Sequence, residues 1–121
     1  MEFKLLKSTV FSIALVLGAQ GLATVSPETV REKVGEHLTE IRSCYENELP
    51  RQPGLHGKVV VDWDIDDKGN VTKISINSKK TTLKDESVRT CIVEKFKTWK
   101  FPPASKGQTL SVSYPFVFSK R

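Results

Sequence analysis

Cysteine occurs twice in this 121-residue chain, histidine twice and methionine once, and these scarcities exclude several chemistries before any motif is sought. Cys44 and Cys91 stand alone, with no Cys-x-x-Cys pair and no histidine beside them, so a structural zinc site has no ligand set. The seven glycines are scattered and form no phosphate-cradling loop. Neither His37 nor His56 has a serine or cysteine nucleophile at a recognisable motif spacing. Long hydrophobic runs are missing too. The apolar run from Val10 to Leu17 falls far below the roughly 20 residues that span a bilayer.

What is present at the start has a different use. Lys4 and Lys7 precede the apolar run, Gln20 closes it, and Gly21 and Ala23 occupy the positions a signal peptidase reads. Residues 1–23 therefore read as a secretory signal peptide. Residues 24–121 read as one domain, expected to be soluble in the periplasm with no membrane insertion after cleavage; a signal retained as an anchor is the alternative. No cysteine follows the run closely enough for a lipid anchor. Losing Glu2, Lys4 and Lys7 takes the 19 basic and 14 acidic residues to 17 and 13. That mild excess is spread over separate lysines, which fits a solvated surface better than a nucleic-acid stripe.

In an oxidising compartment two cysteines allow one bridge. Each falls on the apolar stripe of an expected helix, so a disulfide between Cys44 and Cys91 is favoured, with two separate buried thiols as the alternative. Closing that loop would stabilise a small domain by about 4 kcal/mol on the loop-entropy account.

Periodicity gives the elements. Val30, Val34, Leu38, Ile41, Cys44, Tyr45 and Leu49 recur at helical spacing, with Ser26 as N-cap, Pro27 in the first turn and Pro50 as the stop. Val59, Val61, Trp63 and Ile65 alternate with polar positions up to a turn at Asp67, Lys68, Gly69 and Asn70, which predicts a hairpin. The returning strand, about 71–78, buries Ile74 and Ile76; Val71 is out of phase, so a bulge is expected beside the turn. A second helix is predicted over Leu83–Trp99, with Val88, Cys91, Ile92, Phe96 and Trp99 inward. In the last strand Leu110, Val112, Tyr114, Phe116 and Phe118 share the apolar side, and Thr109, Ser111, Ser113, Pro115 and Val117 the other.

Because the outer faces of the strands are largely polar, both helices must cover one face of the sheet. The fold class is then α+β, a two-layer αββαβ domain with a three-stranded antiparallel-type sheet in the order 2-1-3. Connecting the second strand through a helix to the third puts the most apolar strand in the centre and the last on an edge. An edge also explains Pro115, which has no N–H to give a ladder. Thr109, Ser111 and Ser113 share its parity, so these four positions form a candidate partner-binding edge, where an added strand would pair in the first half and be blocked near Pro115.

The segments "IRSCYENEL", "GKVVVDWDIDDKGNV", "CIVEKFKTWKFPP" and "YPFVF" together resemble the AgmX/PglI C-terminal domain, a relative of the TonB C-terminal domain, from about Thr29 to Phe118. The resemblance implies a TonB-like fold in the periplasm, contacts with other envelope or outer-membrane proteins, no catalytic residues and no cofactor. The family's paired cysteines correspond to Cys44 and Cys91. A membrane-anchored energy transducer of TonB's own type would need an apolar span and a long proline-rich spacer, so a soluble adaptor is the expectation.

An enzyme or metal reading has its best material in Asp62, Asp64, Asp66 and Asp67. A calcium loop framed from Asp62 puts Asp67 where glycine belongs; one framed from Asp64 puts Lys68 at the fifth position and Ser75 where a bidentate glutamate is needed. No metal site is expected, and Trp63, Trp99 and Tyr114 are spaced as core. The sequence thus points to a non-catalytic, exported protein-binding module. The alternative is a structural envelope protein holding peptidoglycan or an anionic polymer through surface lysines.

Overall fold

The computed structural model describes residues 25–120, so the expected signal peptide lies outside the described residues. Ser26 opens the first helix, α1 (Pro27–Glu36), by a reciprocal cap: its hydroxyl accepts the Thr29 N–H at 3.2 Å while its own N–H donates to Thr29 Oγ1 at 2.7 Å. The apolar periodicity then continues, but the helix does not. At His37 the backbone turns to φ −108°, ψ 8°, and a second helix, α2 (Leu38–Glu46), departs in a new direction. The single helix expected over this stretch is therefore two. The bend also moves Leu38, expected on the buried stripe, to a position where it is 47% exposed, while Val34 and Ile41 on either side stay buried.

Strands β1 (Gly57–Ile65) and β2 (Val71–Ile76) form the expected hairpin. Its turn is organised by Asp66, whose carboxylate accepts the N–H groups of Lys68 and Asn70 at 2.9 and 2.8 Å. The bulge lies further along than the sequence suggests. Asp62 pairs with Ser75 and Asp64 with Thr72, so Lys73 and Ile74 together oppose Trp63, and Lys73 takes a positive φ of 50°. That extra residue is what lets Val71 and Ile74 both pack on the core despite their odd spacing.

The helix expected from Leu83 begins later, as α3 (Glu86–Phe96). The Leu83 N–H is spent on the Lys58 carbonyl at 3.0 Å, and Asp85 supplies the cap by accepting the Val88 N–H at 2.9 Å. Trp99 follows the helix rather than belonging to it, but its ring packs on Phe96 with centroids 4.2 Å apart. The last strand, β3 (Leu110–Phe118), pairs antiparallel with β1 in unbroken register from Gly57–Phe118 to Ile65–Leu110. The sheet order is β2-β1-β3, as the sequence reading required, with three helices rather than two.

The core is one cluster centred on β1. Val59, Val61 and Ile65 are fully buried, and Trp63 lies against Phe96 at 4.7 Å between centroids. Each such side chain contributes roughly 1.5–3 kcal/mol by leaving water. Cys44 on α2 and Cys91 on α3 lie at disulfide distance, with Cα atoms 5.6 Å apart.

Beyond Ile76 the chain keeps following β1 by other means. Asn77 N–H donates to the Val60 carbonyl at 2.8 Å, but Val60 N–H finds the hydroxyl of Thr81 at 2.9 Å and Lys58 N–H that of Thr82 at 2.9 Å. Two hydroxyls thus stand where strand carbonyls would be. Val60 and Thr81 are both buried, so Thr81→Val, which keeps the shape and deletes the acceptor, should cost about 1–3 kcal/mol by stranding the Val60 N–H. Thr82→Val, at an exposed position, should cost less. Urea unfolding of the two variants measures both, and equal midpoints for Thr81→Val and wild type would refute this account.

Candidate functional site: the free edge of the sheet

The hydrogen bonds of Lys58 and Val60 determine which backbone groups of β3 are free. Both residues spend N–H and C=O on the β2 side, on Asn77, Thr81, Thr82 and Leu83. Their cross-strand partners on β3 are Val117 and Pro115, so these face β1 without exchanging hydrogen bonds with it. By the period of two, Ser111 and Ser113 do the same, and the backbone groups of all four point to the outer edge of β3. Pro115 sits where its missing N–H costs the ladder nothing. Thr109, the first residue of the expected edge, precedes the strand. Among the described residues no strand pairs with this outer edge.

Two clefts run beside it, on the side of the sheet where the helices pack. The first lies between α1 (Pro27, Val30, Arg31) and residues 110–114. The second, about 360 Å³, lies between α2 (Leu38, Ile41, Arg42) and residues 114–118. Tyr114, half-buried, borders both and divides them. Leu38 and Val117, at 47% and 71% exposure the large hydrophobic residues most open to solvent among those described, both border the second cleft. Sequence reasoning missed Leu38 because it assumed an unbroken helix. Gly35, an unfavourable helix residue two positions before the bend, was the available signal.

The opposite edge is built differently. β2 has six residues against nine in β3, is interrupted by the bulge at Lys73, and leads into exposed Lys79 and Lys80. Short length, bulging and lysines are the usual ways of blunting a strand edge.

The other residues weighed from the sequence have local partners. Asp62 accepts from the Asn77 amide at 3.1 Å, Asp64 from the Ser111 hydroxyl at 2.7 Å, and Asp67 from the Gly107 N–H at 2.9 Å. Asp66 is held below the ordinary carboxylate range by the backbone N–H groups of Asn70 and Lys68. These aspartates are therefore engaged one by one rather than gathered on a common centre. His56 Nδ1 lies 2.9 Å from the Gly54 carbonyl in the loop before β1. His37 sits at the helix bend, 2.8 Å from Glu40.

The "DDKGN" and "WKFPP" segments, distant in sequence, touch in space. Phe101 N–H donates to the Gly69 carbonyl at 2.9 Å, Ala104 N–H to the Asp66 carbonyl at 3.0 Å, and Asn70 forms a bridge with Lys100. The hairpin turn and the proline-containing segment brace each other, and β3 leaves from that brace.

Residues 48–119 match the family described as the Gram-negative bacterial TonB protein C-terminal, which spans more than half of the chain. No curated protein matches. Among solved structures, the NMR solution structure of the Helicobacter pylori TonB C-terminal domain (its residues 179–285) is similar at 20% identity. The alignment covers 91% of this chain and 98% of that one, with a TM-score of 0.47. With β1, β2, α3 and β3 all inside the matched segment, the chain belongs to the TonB C-terminal domain family.

Proposed function

We propose that this protein is an exported, non-catalytic adaptor of the periplasm that binds a protein of the cell envelope by accepting one of its segments as a fourth strand along β3. TonB C-terminal domains typically mediate protein interactions in the envelope and engage outer-membrane proteins. Within that family the "IRSCYENEL" and "CIVEKFKTWKFPP" segments favour the AgmX/PglI branch.

One observation carries the reading: the two edges of the sheet are unequal. The β2 edge is blunted, whereas β3 is long, regular and flanked by clefts. A strand laid along β3 would pair with the free backbone groups of Ser111 and Ser113. Its alternate side chains would drop toward the clefts on either side of Tyr114. Pairing would stop at Pro115, and beyond it Leu38, at the rim of the second cleft, offers apolar contact instead.

The test begins with cross-linking in native envelope fractions to capture the partner, followed by binding measurements on Ser111→Pro and Ser113→Pro. Each proline removes an outward N–H without touching the ladder to β1. Affinity should fall by about tenfold or more while the melting temperature holds. Full affinity in both variants would exclude strand addition at this edge. Holding an anionic polymer through lysines such as Lys79 and Lys80 is the competing reading, and it predicts binding that collapses as salt is raised.

A further inference from the structure

The two clefts beside β3 carry charge of one sign. Arg31 of α1 lines the first and Arg42 of α2 the second, and no carboxylate lines either. The Arg42 side chain keeps 32% of its surface in solvent; its Nε lies 3.3 Å from Glu46 along the helix, an ion pair without hydrogen-bond alignment. Among the described residues its terminal nitrogens have no acceptor, and Arg31, which is exposed, has no ion-pair partner. A guanidinium presents a planar fork of donors that matches the two oxygens of a carboxylate.

The spacing of the two charges fits a strand. The first cleft runs along residues 110–114 and the second along 114–118, so their midpoints, 112 and 116, lie on one face of β3 and roughly 13 Å apart. Between them stands Tyr114, half-buried, its ring 5.0 Å from that of Phe116 between centroids. A strand docked on β3 turns every second side chain to this face. Its residues opposite positions 112, 114 and 116 would meet Arg31, Tyr114 and Arg42 in turn.

We infer that the segment captured along β3 is an acidic one of fixed pattern: a carboxylate, an apolar residue two positions on, and a second carboxylate two positions further, received by Arg31, Tyr114 and Arg42. This rests on the strand-docking reading, whose partner it narrows from any extended segment to that chemical class. Arg42 supplies an anchor at the point where Pro115 ends the backbone pairing. Both arginines precede residues 48–119, the segment that matches the family, so the pattern is read from this chain's own residues.

The same charges fix the register. A slip by one residue would turn both carboxylates to the other face of the sheet. There the adjacent strand offers Asp64 and Asp62 opposite Ser111 and Ser113, while Lys73 and Lys80 stand beyond them on the β2 side.

Random peptides of about ten residues, displayed on phage and selected against the purified protein at about 0.15 M salt, test the pattern. The enriched sequences should carry two Asp or Glu residues four positions apart with an apolar residue midway. A synthetic copy of one should bind Arg42→Gln about tenfold more weakly and Arg31→Gln, whose position is exposed, about threefold more weakly, with melting temperatures unchanged. Replacing the matching acid by its amide in the peptide should cost as much on the wild type and nothing further on the arginine variant. A selection that yields no binder or no acidic pair, or equal affinity for both arginine variants and the wild type, would overturn the pattern. Ser111→Pro and Ser113→Pro separate it from the reading beneath it. Peptides without the acidic pair that lose affinity for the proline variants would overturn the pattern and leave docking standing. Acidic peptides that keep full affinity for both would overturn docking and the pattern with it.

Discussion

Replacing Gly69 by alanine is expected to cost about 3 kcal/mol or more, a large part of the roughly 5–15 kcal/mol available to a domain of this size. Gly69 has φ +83°, which a side chain resists, and a Cβ built there would lie 2.1 Å from the carbonyl oxygen of Phe101. That oxygen belongs to the backbone and cannot swing aside. Nor can the turn retreat, because Phe101 N–H is bonded to the Gly69 carbonyl and Ala104 N–H to that of Asp66. The substitution must therefore open the brace from which β3 departs. Gly35→Ala is the natural control: nothing lies within 4 Å of its added Cβ, and alanine favours the helix, so it should be neutral or stabilising by up to about 1 kcal/mol. Urea unfolding of the two variants gives the comparison, and a Gly69→Ala midpoint equal to wild type would refute the proposed contact.

Breaking the Cys44–Cys91 connection is expected to be as serious. The residues are 47 apart in sequence, and freeing a loop of that length costs about 4 kcal/mol on the loop-entropy account. The connection also carries mechanical weight. Apart from the core side chains, it is what couples α2, a wall of the second cleft, to α3. Protein recovered from its native compartment should be two hydrogens lighter than its reduced form, and reductant should lower its unfolding midpoint steeply. The Cys44→Ala, Cys91→Ala double variant should unfold near the reduced wild type. Two freely alkylated thiols in protein recovered from its native compartment would contradict the bridge; a midpoint indifferent to reductant would deny it a stabilising part.

Much of this was legible because strands and helices announce themselves by period. The alternation from Val59 to Ile65, the parity of Leu110 to Phe118 and the connection rules together required the order 2-1-3, and Pro115 required an edge. Events that leave the period intact were hidden. Val34, Leu38 and Ile41 keep helical spacing across the bend at His37, because one non-helical residue redirects the axis without changing the count. The start of α3 was misjudged for a related reason: Leu83 is apolar and buried, but its backbone is claimed by Lys58. The two clefts were beyond reach altogether. They arise where α1 and α2 fail to meet β3, and such gaps depend on packing distances that no local pattern encodes.

The inequality of the two edges also limits how this protein can assemble with itself. If two copies met β3 to β3 about a twofold axis, the joined sheet would be bounded on both sides by β2, with its bulge at Lys73 and its lysines outermost. Growth would stop at the pair, because a fibre needs a head-to-tail contact that repeats, and here the tail is closed. Among the described residues, an open β3 edge is therefore compatible with a closed pair and not with open-ended polymerisation.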